Sequence, residues 1–284
     1  MANQLKTAFF LALLTGLMLV VGSLLGGTTG LTIALLIAFV LNFGMYWWSD
    51  RIVLAIYRAK PASESEYPAL YRIVKEVAKR AEIPMPKVYI IPTEHSNAFA
   101  TGRSPSHASI AFTQGILRLL NDEELKGVAA HEMSHVKNRD TLIATIAATI
   151  AGVISYVAAI ARWGAIFGGF GNNQNKGPNI LELIVLGIIT PLIATIIQLA
   201  ISRSREYLAD ETGAKTLRNG TGLAEALSKL DADIKAKPLK DTGMTEATSH
   251  LFIASPFKAK SWLQAFSTHP ASEERIRRLK AMRF

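Results

Sequence analysis

No cysteine occurs among the 284 residues. That absence excludes a disulfide framework, a thiolate metal site and a thiol nucleophile. Charge is also scarce. Only 19% of the chain is Asp, Glu, Lys or Arg, where soluble domains carry about 25%. Half of the residues are hydrophobic and the mean hydropathy is +0.24. This excludes a disordered polar chain and argues against an ordinary water-soluble globule. No internal repeat is evident. The net charge of +9, from 31 Lys and Arg against 22 Asp and Glu, suits nucleic acid or the cytoplasmic face of a membrane protein.

What the sequence does contain decides between those two. Four apolar runs are long enough to cross a bilayer as helices: Thr7 to Leu25, Leu31 to Trp48, Thr141 to Ala161 and Ile180 to Ile201. Only Gly26-Gly27-Thr28-Thr29-Gly30 separates the first two, so they are expected to form a helical hairpin, with Tyr46, Trp47 and Trp48 as an aromatic belt. Pro191 is expected to kink the fourth. Lys6, Arg51, Arg58, Lys60, Lys137, Arg139, Arg203 and Arg205 flank the runs on one side. Positive residues favour the cytoplasm, which places both termini and both polar segments inside. The basic excess then needs a lipid bilayer as partner and no nucleic acid. Rival assignments make the first run a cleaved signal peptide, bury the last two runs in a soluble protease, or treat the chain as a transporter or scaffold in which Glu182 and Gln198 matter.

The chemistry centres on His131-Glu132-Met133-Ser134-His135. Asn121 followed by Glu124 is a capping-box pattern, and Leu125, Val128 and Ala129 continue at helical spacing. His131 and His135 are thereby one turn apart on one helix face, where two imidazoles can converge on a zinc ion. Glu132 stands beside the metal, placed to act as general base on a water. The pattern is the H-E-x-x-H motif. Catalytic zinc takes three protein ligands, and Ser204-Arg205-Glu206-Tyr207-Leu208-Ala209-Asp210 offers Glu206 as the third. Asp210, one turn on, is placed to accept the distal N–H of His131. One zinc ion per chain is expected. The ligands bracket the third and fourth runs, so the ion is expected close to the membrane surface.

These residues resemble the HtpX family of membrane zinc endopeptidases, related to the CAAX prenyl proteases. The resemblance rests on His131-Glu-Met-Ser-His135, Ser-Arg-Ser-Arg-Glu206-Tyr-Leu-Ala-Asp210 and Ser-Thr-His269-Pro, and it spans essentially the whole chain. It implies proteolytic quality control of membrane or misfolded proteins at a bacterial inner membrane, with Glu206 as third ligand. It also implies that His269 lies near the cleft and steadies the transition state. From its residues alone, His269 reads equally well as an exposed histidine before a helix.

The fold class expected is mainly α, of α+β type: four transmembrane helices plus a zincin-like metalloprotease domain with a small β-sheet. Residues 1–48 form the first transmembrane hairpin and 141–200 the second, inserted between the ligands. Residues 49–140 and 201–284 build one discontinuous cytoplasmic protease domain. Within it, Asn97 to Thr101 and His107 to Phe112 read as a β-hairpin, and Pro86 to Pro92 as another strand. An exposed edge could take a substrate peptide as an added strand; Asn97, Ala98, Phe99 and Ile110 are the residues assigned to it. The cationic tail, with Arg275, Arg277, Arg278, Lys280 and Arg283, reads as a solvated helix face or as a contact for anionic headgroups.

Overall fold

The computed structural model describes residues 2–143, 203–236, 253 and 272–284. Helical hydrogen bonding runs through α1 (Ala2–Ile56), but the helix is not straight. Asn42 donates from Nδ2 to Thr15 Oγ1 at 2.7 Å across 27 residues, and to Leu11 O at 3.4 Å. A straight helix would hold such residues about 40 Å apart. The chain therefore doubles back, and Gly27, at φ +56, supplies the left-handed turn that glycine adopts at little steric cost. The arms press together so closely that a Cβ on Gly22 would lie 2.5 Å from the Gly30 carbonyl. The hairpin expected from the two apolar runs is present. Gly27–Trp48 is long and apolar enough to cross a membrane, and Leu36, Phe39 and Val40 are exposed along it. It is the one such stretch found among the described residues. The third and fourth runs fall outside those residues from 144 onward.

A four-stranded sheet follows, with β1 (Lys60–Pro61), β2 (Lys87–Ile91), β3 (Ala98–Gly102) and β4 (Ala108–Thr113) in the order β1-β2-β4-β3. β2 and β4 run parallel, and the other two pairs are antiparallel. Alternation along each strand sends side chains to two different cores. Val88, Ile90, Ala98, Ile110 and Phe112 face the helices, whereas Ile91, Phe99 and Ala111 face Val53 and Leu54 at the end of α1. The apolar hairpin is thus joined to the back of the sheet by packed side chains, and Tyr57 reinforces the joint with its ring 5.3 Å from that of Phe99.

The helical layer contains α2 (Pro68–Ala81), α3 (Gln114–Leu119), α4 (Asp122–Lys137), α5 (Arg203–Leu217), α6 (Thr221–Ala236) and α7 (Ser272–Ala281). α2 buries Leu70, Ile73, Val74 and Val77 at helical spacing, and α6 buries Leu223, Leu227 and Leu230. Each such side chain removed from water contributes roughly 1.5–3 kcal/mol. α4 runs through the middle of this layer, packed against α2, α5 and α6.

Candidate metal centre

α4 begins where the sequence pattern places it. Asn121 Oδ1 accepts from Glu124 N at 2.9 Å, and Glu124 Oε2 accepts from Asn121 N at 2.8 Å, closing the capping box. Leu125, Val128 and Ala129 anchor the helix in the core. With the helix fixed, His131 and Glu132 are buried and His135 is half-buried at its far end. The two imidazoles meet edge to face, with Nε2 atoms 3.2 Å apart.

α5 brings the carboxylates. Glu206, Asp210 and Gly213 lie at spacings of four and three residues, so they share one face of that helix. A Cβ on Gly213 would stand 3.0 Å from the backbone of Ala130 and His131. The missing side chain lets α5 cross α4 at the first histidine. Glu206 then lies 3.6 Å from His131 Nε2 and 3.5 Å from His135 Nε2. Asp210 Oδ1 sits 2.9 Å from His131 Nδ1. In the neutral ring that contact holds the proton on Nδ1 and leaves the Nε2 lone pair facing His135 and Glu206.

Three donor atoms from His131, His135 and Glu206 lie within 4.8 Å of one another. Donors held tetrahedrally about 2.0–2.1 Å from a zinc-sized ion are spaced about 3.3–3.4 Å apart. The two Nε2 atoms stand 3.2 Å apart, and each has a different oxygen of Glu206 3.5–3.6 Å away, so the three residues surround a space of that scale. Two neutral nitrogens with one carboxylate oxygen also suit a borderline-soft divalent ion.

Two further side chains belong to this centre and are not singled out by the sequence motifs. Arg275, on α7, is 1% exposed. Its Nε and Nη2 donate to the two oxygens of Asp210 at 2.8 and 2.7 Å, and its Nη1 donates to Ile253 O at 2.8 Å. Its position one turn before the buried Leu279 is the only sequence sign that it turns inward. Asp140 lies with Oδ2 3.5 Å from His135 Nδ1, so each histidine has its outer nitrogen beside a carboxylate. Two other tail cations are engaged locally: Arg277 and Arg278 pair with Glu274, and Arg278 stacks over Tyr207.

Charge follows from these contacts. Burial alone would depress His131, but its hydrogen bonds to Asp210 and Glu206 outweigh that and raise it to about 9 in the metal-free chain. Burial likewise opposes ionisation of Asp210, yet the Arg275 guanidinium holds it below the usual carboxylate range. Glu132 is pushed up by its burial, against the pull of the two histidines. Its Oε2 accepts from the backbone N–H of Ala100 at 2.9 Å.

That last bond connects the centre to the predicted hairpin, which is present as β3 and β4 with Ala98 opposite Phe112 and Ala100 opposite Ile110. β3 is the edge strand, and the Ala100 N–H points away from β4 toward Glu132. The four residues assigned to the substrate edge are placed differently. Ala98 lies in the outer strand. Asn97 precedes it and accepts from Ile253 N through Oδ1 at 3.2 Å. Phe99 and Ile110 are buried in opposite cores. His269 lies outside the described residues. His95 and His107 are not members of the cluster, and His107 Nδ1 instead meets Ser104 and Ser106 at 3.0 Å each.

Comparison with known proteins agrees with this centre. Residues 64–283 match peptidase family M48. A protease HtpX homolog of Syntrophobacter fumaroxidans is 50% identical over 284 residues, covering 99% of this chain and 100% of its own. That of Pyrococcus furiosus is 52% identical over 275 residues, covering 97% and 94%. In fold, the chain is similar to the crystal structure of S. mikatae Ste24p, with a TM-score of 0.54 at 19% identity. That match covers 98% of this chain and spans 65% of the Ste24p chain. The transporter and scaffold readings are thereby set aside: the chain belongs to peptidase family M48 and is a metalloprotease.

Proposed function

We propose that the chain is a zinc-dependent endopeptidase that hydrolyses peptide bonds of membrane or misfolded proteins from the cytoplasmic side of an inner membrane. One observation carries this reading. Two imidazoles and a carboxylate converge at the spacing of a metal site, with a further carboxylate, Glu132, next in sequence and buried beside them. In this proposal His131, His135 and Glu206 hold the ion. When bound, zinc would acidify a water and polarise the scissile carbonyl.

The remaining chemistry falls to this chain's own groups. Glu132 takes the proton of the attacking water and returns it to the leaving amine. A carboxyl already pushed upward by burial is closer to neutral pH and accepts that proton readily. The Ala100 N–H fixes one of its oxygens, so the carboxylate cannot swing away. Asp210 keeps the His131 ring oriented, and Arg275 keeps Asp210 charged. The outer edge of β3, beginning at Ala98, lies beside Glu132 and is where an extended peptide would add as a strand. His269 completes the proposal as the group that steadies the oxyanion. Residues 49–140 and 201–284 form the protease domain in this account, and 141–200 a second membrane hairpin.

The test is Glu132→Gln. It should retain the metal of the wild type and lower peptide turnover by about 10²–10⁴-fold, the range for a lost general base. Normal turnover would overturn the assignment. Alkaline carbonate extraction tests the membrane reading separately, since an integral protein stays in the pellet.

A further inference from the structure

Arg275, Arg277 and Arg278 of the tail are paired within the fold, whereas other cations of the described residues are not. Arg51, Arg103 and Arg139 have no carboxylate in ion-pair range among the described residues, and Arg51 and Arg139 are exposed. Their places in the chain bring them toward one end of β3. Arg103, the first residue after β3, places its guanidinium 4.3 Å from the centre of the Trp47 ring. Trp47 lies in the last turn of the apolar stretch Gly27–Trp48, and Arg51 stands one helical turn further on the same face. On the other side, Thr141 Oγ1 donates to Gly102 O at 2.9 Å, which brings Arg139, two residues earlier, to the same end of the strand. In the loop beyond Arg103 the Ser104 and Ser106 hydroxyls meet each other and His107 Nδ1, each at 3.0 Å.

We propose that this end of β3 binds the phosphate of an anionic phospholipid, taken from the leaflet that Gly27–Trp48 enters. Guanidiniums are the donors suited to a phosphodiester, and an indole at the end of an apolar span marks the headgroup level. The proposal rests on the membrane reading given above. Its consequence for the enzyme is positional. Arg103 is three residues along the strand from Ala100, about 10 Å at 3.3 Å per residue, and the Ala100 N–H holds Glu132. A headgroup gripping the hairpin tip would set the height of the edge strand and general base above the bilayer.

The full chain should be purified in mixed micelles containing equal amounts of phosphatidylglycerol and phosphatidylcholine, with retained lipid read by native mass spectrometry. Wild-type protein should retain the anionic lipid preferentially. Each Lys or Arg at a headgroup layer accounts for about five-fold, so Arg103→Gln should lose about five-fold and Arg51→Gln/Arg103→Gln/Arg139→Gln on the order of 100-fold. Arg103→Lys should restore most of the single loss. Metal content should match the wild type in each case. If the triple variant loses its metal, Arg103→Gln and its lysine counterpart decide the matter alone. Equal retention of both lipids by the wild type, or a preference unchanged in Arg103→Gln, would overturn the proposal. Displacement of the lipid by 10 mM glycerol phosphate would overturn the lipid as occupant and assign a soluble phosphate site instead. A chain released by carbonate would fail the membrane reading, whereas an integral chain without lipid preference would sink the headgroup site alone.

Discussion

Replacing Asp210 with asparagine separates the two duties of that carboxylate. Asp210 is 4% exposed, accepts two hydrogen bonds from Arg275 at 2.8 and 2.7 Å and lies 2.9 Å from His131 Nδ1. Asparagine keeps the shape and removes the charge. Arg275 would then be a buried cation with Glu206 at 3.5 Å as its nearest remaining anion. Breaking one side of a buried pair costs ~3–5 kcal/mol. At about 2–4 °C per kcal/mol for a domain of this size, Tm falls by roughly 6–20 °C. Independently, the His131 ring loses its charged anchor, and changes of that kind cost about 10–100-fold in metal affinity. A second substitution distinguishes the effects. In Asp210→Asn/Arg275→Met the orphaned cation is gone, so at least half of the lost Tm should return while metal affinity stays low. Thermal unfolding of the metal-free protein in detergent and titration against a zinc-buffering chelator read the two quantities. A double variant no more stable than the single, or a single variant with wild-type metal affinity, would refute the reasoning.

Other outcomes follow from the same geometry. His131 is raised from 6.5 to about 9 in the metal-free chain, so its contribution to folding is complete below pH 6.5 and fades as pH rises through 9. Metal must displace that proton, so zinc affinity should climb by up to about ten-fold per pH unit between 7 and 9; a flat profile in the chelator titration would contradict this. Ala98→Pro removes a backbone N–H on the outer side of β3 and leaves the pairing with β4 intact. It should lower kcat/KM for peptides by about ten-fold or more with metal content unchanged, and unimpaired turnover would count against strand addition. Gly213→Val places side-chain atoms where a Cβ alone already stands 3.0 Å from the α4 backbone. It should reduce both metal content and Tm, the latter through about 1–3 kcal/mol of overpacking, as read by metal analysis and thermal unfolding.

Much of this architecture was legible from residue pattern because short-range rules govern it. The α1 turn needed only the glycine-rich break between two apolar runs. The start of α4 followed from Asn121 and Glu124, and β2, β3 and β4 from runs of β-forming residues between proline and glycine. The grouping of His131, His135 and Glu206 was suggested by spacing on two helices. What brings those helices together, Gly213 against Ala130, is a fact of packing that no motif announces. The inward turn of Arg275 is unmarked in the sequence for a related reason. It stands in a run of cations, and only the docking of α7 turns that one arginine inward onto Asp210 while its neighbours stay outside. The bond from Ala100 to Glu132 had no signature at all, because a backbone N–H is the same at nearly every residue. Phe99 and Ile110 show the opposite case: the strands were readable, but which face each side chain takes was decided by α1 on one side and the helical layer on the other.

The central claim is that two histidines and a distant glutamate hold one zinc ion used for hydrolysis. Metal analysis of the purified chain, joined to X-ray absorption at the zinc edge, tests it most directly. The purified chain should carry one zinc bound through two imidazole nitrogens and carboxylate oxygen, with both metal and peptide cleavage lost in Glu206→Ala. Full cleavage by metal-free protein, or an unchanged zinc spectrum in Glu206→Ala, would contradict it.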